Sequence, residues 1–180
     1  MPPNQLLLIA GLGEGTLALV ALTWMWWRDI PVRLGELVDG TFLGSSAAVA
    51  LALVNYWLLR KAPNVRPVRD VRVLYREVFT PLFARVRLVH VVLISLLAAI
   101  GEELLFRGAV QAEAGLVAAS LLFGVLHLGG SGTWAFGCWV AAMGFVLGGL
   151  AIWSHSLIAP IVAHALYDAA AIAYIRWARA

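Results

Sequence analysis

Apolar runs long enough to cross a bilayer fill nearly all of this sequence, and one hydrophilic stretch, residues 60–87, divides them. A helix needs about 20 apolar residues to cross a hydrocarbon core roughly 30 Å thick. In that solvent every backbone N–H and C=O must bond within the protein, so runs of this length are helices. Six are predicted, over 6–27, 38–59, 88–106, 112–128, 134–153 and 157–174. The expected fold class is therefore all-α: a polytopic membrane protein, a bundle of about six transmembrane helices around a polar intramembrane cavity. Composition excludes a soluble domain. Charged residues make up 13% and hydrophobic residues 62% of the chain, whereas soluble domains carry about 25% charged residues.

The net charge of +3 does not coat a surface that nucleic acid could use, because the basic residues concentrate in 60–87. There Arg60, Lys61, Arg66, Arg69, Arg72, Arg76, Arg85 and Arg87 face only Asp70 and Glu77. By the positive-inside rule this loop is cytoplasmic. Six crossings then put both termini in the cytoplasm, in agreement with Arg176 and Arg179 at the end of the chain. The organisation expected is an N-terminal pair of transmembrane helices (1–59), the basic cytoplasmic loop (60–87) and a four-helix core (88–180), together one membrane domain. Within the loop, 71–83 reads as an interfacial amphipathic helix whose length Pro81 limits. No basic n-region precedes the first apolar run, which reads as a retained span rather than a cleaved signal. Cys138 is the single cysteine, so no intramolecular disulfide forms. Gly40 with Gly44 and Gly144 with Gly148 have the spacing that lets membrane helices approach closely. Trp24, Trp26 and Trp27 mark a water interface.

Against this apolar background the ionisable residues stand out. Glu102 and Glu103 come at the end of the third predicted span, with Arg107 four residues beyond Glu103. An ionised side chain at a helix centre costs roughly 2.5–3.5 kcal/mol on insertion scales, so such groups usually mark function. On the fourth span His127 follows Phe123 by one turn, and on the sixth Asp168 follows His164 by one turn. Residues at i and i+4 share a helix face, so the three groups can converge on one cavity. There they can activate water, bind a metal or relay protons. Glu14, among Gly11, Gly13 and Gly15 on the first span, receives no role from the sequence. His90 and His155 fall at span edges and read as interfacial.

The order and spacing of Glu102-Glu103-x-x-x-Arg107, Phe123-x-x-x-His127 and His164-x-x-x-Asp168 resemble the motifs EExxxR, FxxxH and HxxxN/D of the CPBP family. This is the family of CAAX proteases and bacteriocin-processing (Abi) proteins, which includes the type II CAAX prenyl endopeptidase. The resemblance covers about half the chain. It implies a glutamic-type intramembrane endopeptidase of the bacterial cytoplasmic membrane, acting on a membrane-anchored protein or peptide: a prenylated chain, a bacteriocin or a C-terminal sorting helix. It also implies the roles. Glu102 with His127 activates the attacking water, Glu103 and Arg107 position them, and His164 with residue 168 stabilises the oxyanion. Asp168 departs from the asparagine of many members. An aspartate donates a hydrogen bond only when protonated, so it is instead suited to orienting a histidine.

No cofactor is expected; the alternative is zinc on Glu102, His127 and His164, although Arg107 would place a fixed cation nearby and no HExxH is present. Two other functions fit the same buried groups. One is a proton-coupled transporter, although no inverted repeat is evident. The other is a non-catalytic bacteriocin-immunity or scaffold protein, against which the complete set of ionisable residues argues.

Overall fold

The protein is described by a computed structural model over residues 1–130 and 133–178. Arg179, one of the two terminal arginines used for topology, lies outside the described residues. Among the described residues eight α-helices follow one another: α1 (Pro3–Trp27), α2 (Leu37–Arg60), α3 (Arg66–Leu74), α4 (Thr80–Phe83), α5 (Leu88–Glu103), α6 (Gln111–Leu126), α7 (Trp134–Ser154) and α8 (Ile158–Ala173). Three π-helical segments join or extend them: Tyr75–Phe79 between α3 and α4, Leu104–Val110 between α5 and α6, and Tyr174–Ala178 after α8. Among the described residues five continuous helical stretches are long and apolar enough to cross a membrane. With the family described below, this makes the chain an integral membrane protein. Its outer surface fits lipid: Leu8, Leu12, Leu19, Val49, Leu53, Val117 and Ile152 project outward, away from the core.

The third stretch, Leu88–Leu126, contains two of the six predicted spans and corrects their boundaries. The helix that starts at Leu88 does not end at residue 106. It continues through the π segment as far as Gly115, whose backbone turns to φ 81°, ψ 170°. A side chain strongly disfavours that region, and glycine enters it freely. Beyond Gly115 the chain runs back on itself. Phe123 returns to lie with its ring centroid 4.8 Å from that of Phe106. The glutamates are therefore not at the end of a span. They sit about 20 Å from either end of a rod roughly 40 Å long, because the wide π turn carries the helix on past Arg107. The returning leg, 116–126, is only about 16 Å long. It places His127 twelve residues after the reversal, level with Glu102 thirteen residues before it.

Small residues set the packing around this hairpin. A Cβ on Gly144 of α7 would lie 3.0 Å from the Ser120 Cα of α6. On the other side of the bundle, one on Gly44 of α2 would lie 2.5 Å from the Ala159 carbonyl of α8. Both predicted glycine pairs thus mark helix contacts. α1 packs along α5, whereas α2 packs along α8, so the first two helices have different principal neighbours.

The basic segment is more than an interfacial helix. It starts at Arg66, earlier than expected, and passes Pro81, which occupies the first turn of α4 where a missing N–H is harmless. Arg72 turns inward and donates to the carbonyls of Leu58 (2.9 Å) and Ala62 (2.8 Å), satisfying acceptors that the end of α2 leaves free. Val71 and Tyr75 are buried with Leu59, Ala135 and Ile175, and Phe79, Phe83 and Phe136 pack against them. The segment is a roof held by its aromatic underside. His90 also differs from its interfacial reading: it is buried, with Nε2 3.0 Å from Asn4 Oδ1 and Nδ1 accepting from the Arg87 amide.

Candidate active site

The structure brings all six sequence-derived site residues together halfway along the bundle. Glu103 is the fully buried member, with a side chain 0% exposed. Its Oε1 accepts from Arg107 Nη1 at 2.7 Å and lies 2.8 Å from His164 Nδ1. A carboxylate oxygen can only accept, so Nδ1 of His164 carries a proton and Nε2 is the nitrogen presented to the cavity. Arg107 donates a second bond, from Nη2 to the Gly144 carbonyl at 3.3 Å. Its guanidinium lies 4.5 Å from the centroid of the Phe123 ring, a cation–π contact. The pair therefore ties five elements together: α5, the π segment after it, and helices α6, α7 and α8.

Glu102 faces the other way. Its side chain is 14% exposed and lines a cavity of about 200 Å³ with Phe123, His127, His164 and Asp168. No direct bond holds it. Oε1 is 4.0 Å from His127 Nε2, and Oε2 is 3.8 Å from His164 Nε2. These separations exceed a hydrogen bond and suit one bridging water. His127 caps α6, where the last carbonyls lack helical partners. Its Nδ1 bonds one of them, that of Phe123, at 2.7 Å. A carbonyl only accepts, so the proton is on Nδ1 and the lone pair of Nε2 points at Glu102. The spacing of Phe123 and His127 thus fixes the tautomer as well as the helix face. Asp168 Oδ2 is 3.5 Å from His164 Nε2.

The remaining cavity wall was not legible in the motifs. Tyr75, Phe79 and Phe83 descend from the basic segment, and Phe136, Trp139 and Tyr167 come from α7 and α8. Trp139 Nε1 donates to the Tyr167 hydroxyl at 3.1 Å. The amphipathic pattern of 71–83 announced an apolar face on this segment but gave no sign of what that face covers. A larger cavity, of about 510 Å³, opens at the opposite end of the bundle, beside Asp29, Gly115 and His155, and reaches Arg107 from behind. It holds none of Glu102, His127 and His164, so size does not locate the chemistry here.

The zinc alternative fits poorly. Tetrahedral ligands about 2.0–2.2 Å from a zinc ion sit roughly 3.2–3.6 Å apart. Both glutamate–histidine separations are longer, and no group of three or more His, Cys, Asp or Glu among the described residues is arranged to hold a metal.

Comparison with known proteins places the chain in a family. Residues 84–170 match a family model described as type II CAAX prenyl endopeptidase Rce1-like. The chain is also 36% identical over 154 residues to the uncharacterized protein YpbD of Bacillus subtilis (strain 168), covering 83% of this chain and 77% of that protein. The chain belongs to the CPBP family. At family level this is a group of membrane endopeptidases. No solved structure gives a significant match. The matched region holds all six CPBP motif residues, from Glu102 to Asp168, and excludes α1 and α2 entirely.

Proposed function

We propose that this CPBP protein is an intramembrane endopeptidase that hydrolyses a peptide bond in a membrane-tethered protein or peptide with a glutamate-activated water. The observation that carries the reading is the gap between Glu102 Oε1 and His127 Nε2, 4.0 Å across and facing one cavity. A water in that gap donates one hydrogen to the neutral His127 Nε2 and the other to Glu102. Glu102 takes the proton as the water oxygen attacks the scissile carbonyl carbon. The negative charge moves onto the carbonyl oxygen, and His164 Nε2 donates to it when both ring nitrogens are protonated. Glu102 then returns the proton to the leaving amine nitrogen as the C–N bond breaks. Fixed donors in a water-poor site stabilise such developing charge strongly. Glu103 and Arg107 hold the His164 ring in place, and the Asp168 carboxylate supplies a counter-charge to the protonated ring. No metal takes part in this scheme.

The basic roof and both termini lie on the cytoplasmic side of a bacterial inner membrane in this reading, so a substrate reaches the cavity beneath Phe79 and Phe83 from that side. The test is cleavage of candidate membrane-anchored substrates in liposomes, prenylated, bacteriocin-like and C-terminally helix-anchored in turn, with Glu102→Gln as the control. Cleavage by the wild type alone supports the reading. Equal cleavage by both proteins removes Glu102 as the base.

A further inference from the structure

α1 packs one face along α5 and turns the rest to lipid, with Ala21 and Met25 fully buried, and it carries Glu14 midway along. An ionisable residue there is costly unless it faces protein or water. Gly101 shows where it faces. A Cβ on that residue would lie 2.6 Å from the Glu14 carbonyl oxygen and 2.9 Å from its Oε2. Only glycine lets α1 come so close to α5, and it does so one residue before Glu102. The Oε2 atoms of both Glu14 and Glu102 are buried without a hydrogen-bond partner. Glu14 is within electrostatic reach of His164 and Asp168, and Glu102 within reach of Glu14. Two buried carboxylate oxygens without direct partners, carried on helices in contact through Gly101, each call for a donor, and one water supplies two O–H groups.

We propose that Glu14 is a positioning residue of the candidate site: a water bridging its Oε2 to Glu102 Oε2 fixes the orientation in which Glu102 Oε1 faces His127. The inference rests on the endopeptidase reading for its effect on turnover, and it assigns a site residue to α1, outside the family-matched region 84–170. The bridge leaves Glu102 Oε1 free for the attacking water, so the two oxygens of one carboxylate have separate tasks.

The full-length protein in detergent provides the test. Glu14→Leu replaces a carboxylate whose buried Oε2 has no direct partner with an apolar side chain, so its melting temperature should equal or exceed the wild-type value. Its kcat should fall about tenfold or more, toward the loss expected when a general base is misplaced, with KM changed less than about twofold. Glu14→Gln, whose amide can still bond the bridging water, should recover kcat to within about threefold of the wild type. A Leu variant with wild-type kcat, or one whose kcat falls only in step with its melting temperature, overturns the proposal. A second measurement needs no substrate. In a thermal-stability cycle of Glu14→Leu, Glu102→Gln and the double variant, the changes should be non-additive, because both residues share one partner. Additive changes overturn the proposal even where cleavage assays find no turnover, an outcome that bears on the endopeptidase reading alone.

Discussion

Glu102 and Glu103 are neighbours in sequence, but exchanging each for glutamine should give opposite phenotypes. Glu103 makes two short bonds, to Arg107 at 2.7 Å and to His164 at 2.8 Å. In Glu103→Gln the amide oxygen can still accept from both donors, but without charge, and Arg107 loses its counter-charge. Hydrogen bonds inside membrane proteins contribute about 0.6 kcal/mol each on average, so weakening both accounts for at most roughly 1 kcal/mol. The unpaired cation is the larger effect. Arg107 has a side chain 1% exposed, and breaking a buried ion pair typically costs about 3–5 kcal/mol. At about 2–4 °C per kcal/mol for a chain of this size, the melting temperature should drop by roughly 6–20 °C. Glu102 has no direct bond to lose, its nearest histidine nitrogens being 4.0 and 3.8 Å away. Glu102→Gln should therefore melt within about 2 °C of the wild type, or above it, while turnover falls about 10²–10⁴-fold. Melting followed by tryptophan fluorescence in detergent, paired with the liposome cleavage assay, reads both. A Glu103→Gln protein as stable as the wild type, or a Glu102→Gln protein destabilised as strongly as its neighbour, would refute the division of labour drawn here.

Three further outcomes are expected. Gly115→Ala should cost about 1–3 kcal/mol, because its φ of 81° is strained for alanine, and should reduce turnover by shifting His127 against Glu102; Gly149→Ala, where a Cβ meets nothing within 4 Å, is the control and should be neutral in both assays. Single cysteines at Asn64 or Arg69, in a Cys138→Ser background, should resist an impermeant thiol reagent applied outside intact cells; labelling there would invert the proposed topology. Elemental analysis of active protein should find no stoichiometric zinc, and chelators should leave turnover unchanged; loss on chelation with recovery on adding zinc would restore the metal reading of Glu102, His127 and His164.

The sequence by itself determined the class of fold. Long apolar runs admit only helices where no water competes for backbone bonds, and glycine pairs on α2 and α7 marked two of the helix contacts. It also picked out the ionisable residues, since a charge in an apolar run is expensive enough to be read locally. What it misplaced follows from long-range geometry. Nothing local shows that the helix carrying Glu102 widens into a π turn and continues to Gly115, because the reversal depends on one backbone dihedral and on the return of Phe123 to Phe106 and Arg107. That reversal, and not helix length, sets His127 level with Glu102. The tertiary structure also decided which glutamate is which. Adjacent residues on a helix point about 100° apart, and only the positions of α7 and α8 turn Glu103 into the buried partner of Arg107 and His164 while Glu102 faces the cavity. The basic segment carries the same lesson. Its charge suggested a side of the membrane, but its place as the roof of the site came from aromatic side chains meeting Phe136 across more than fifty residues of chain, a contact no local pattern encodes.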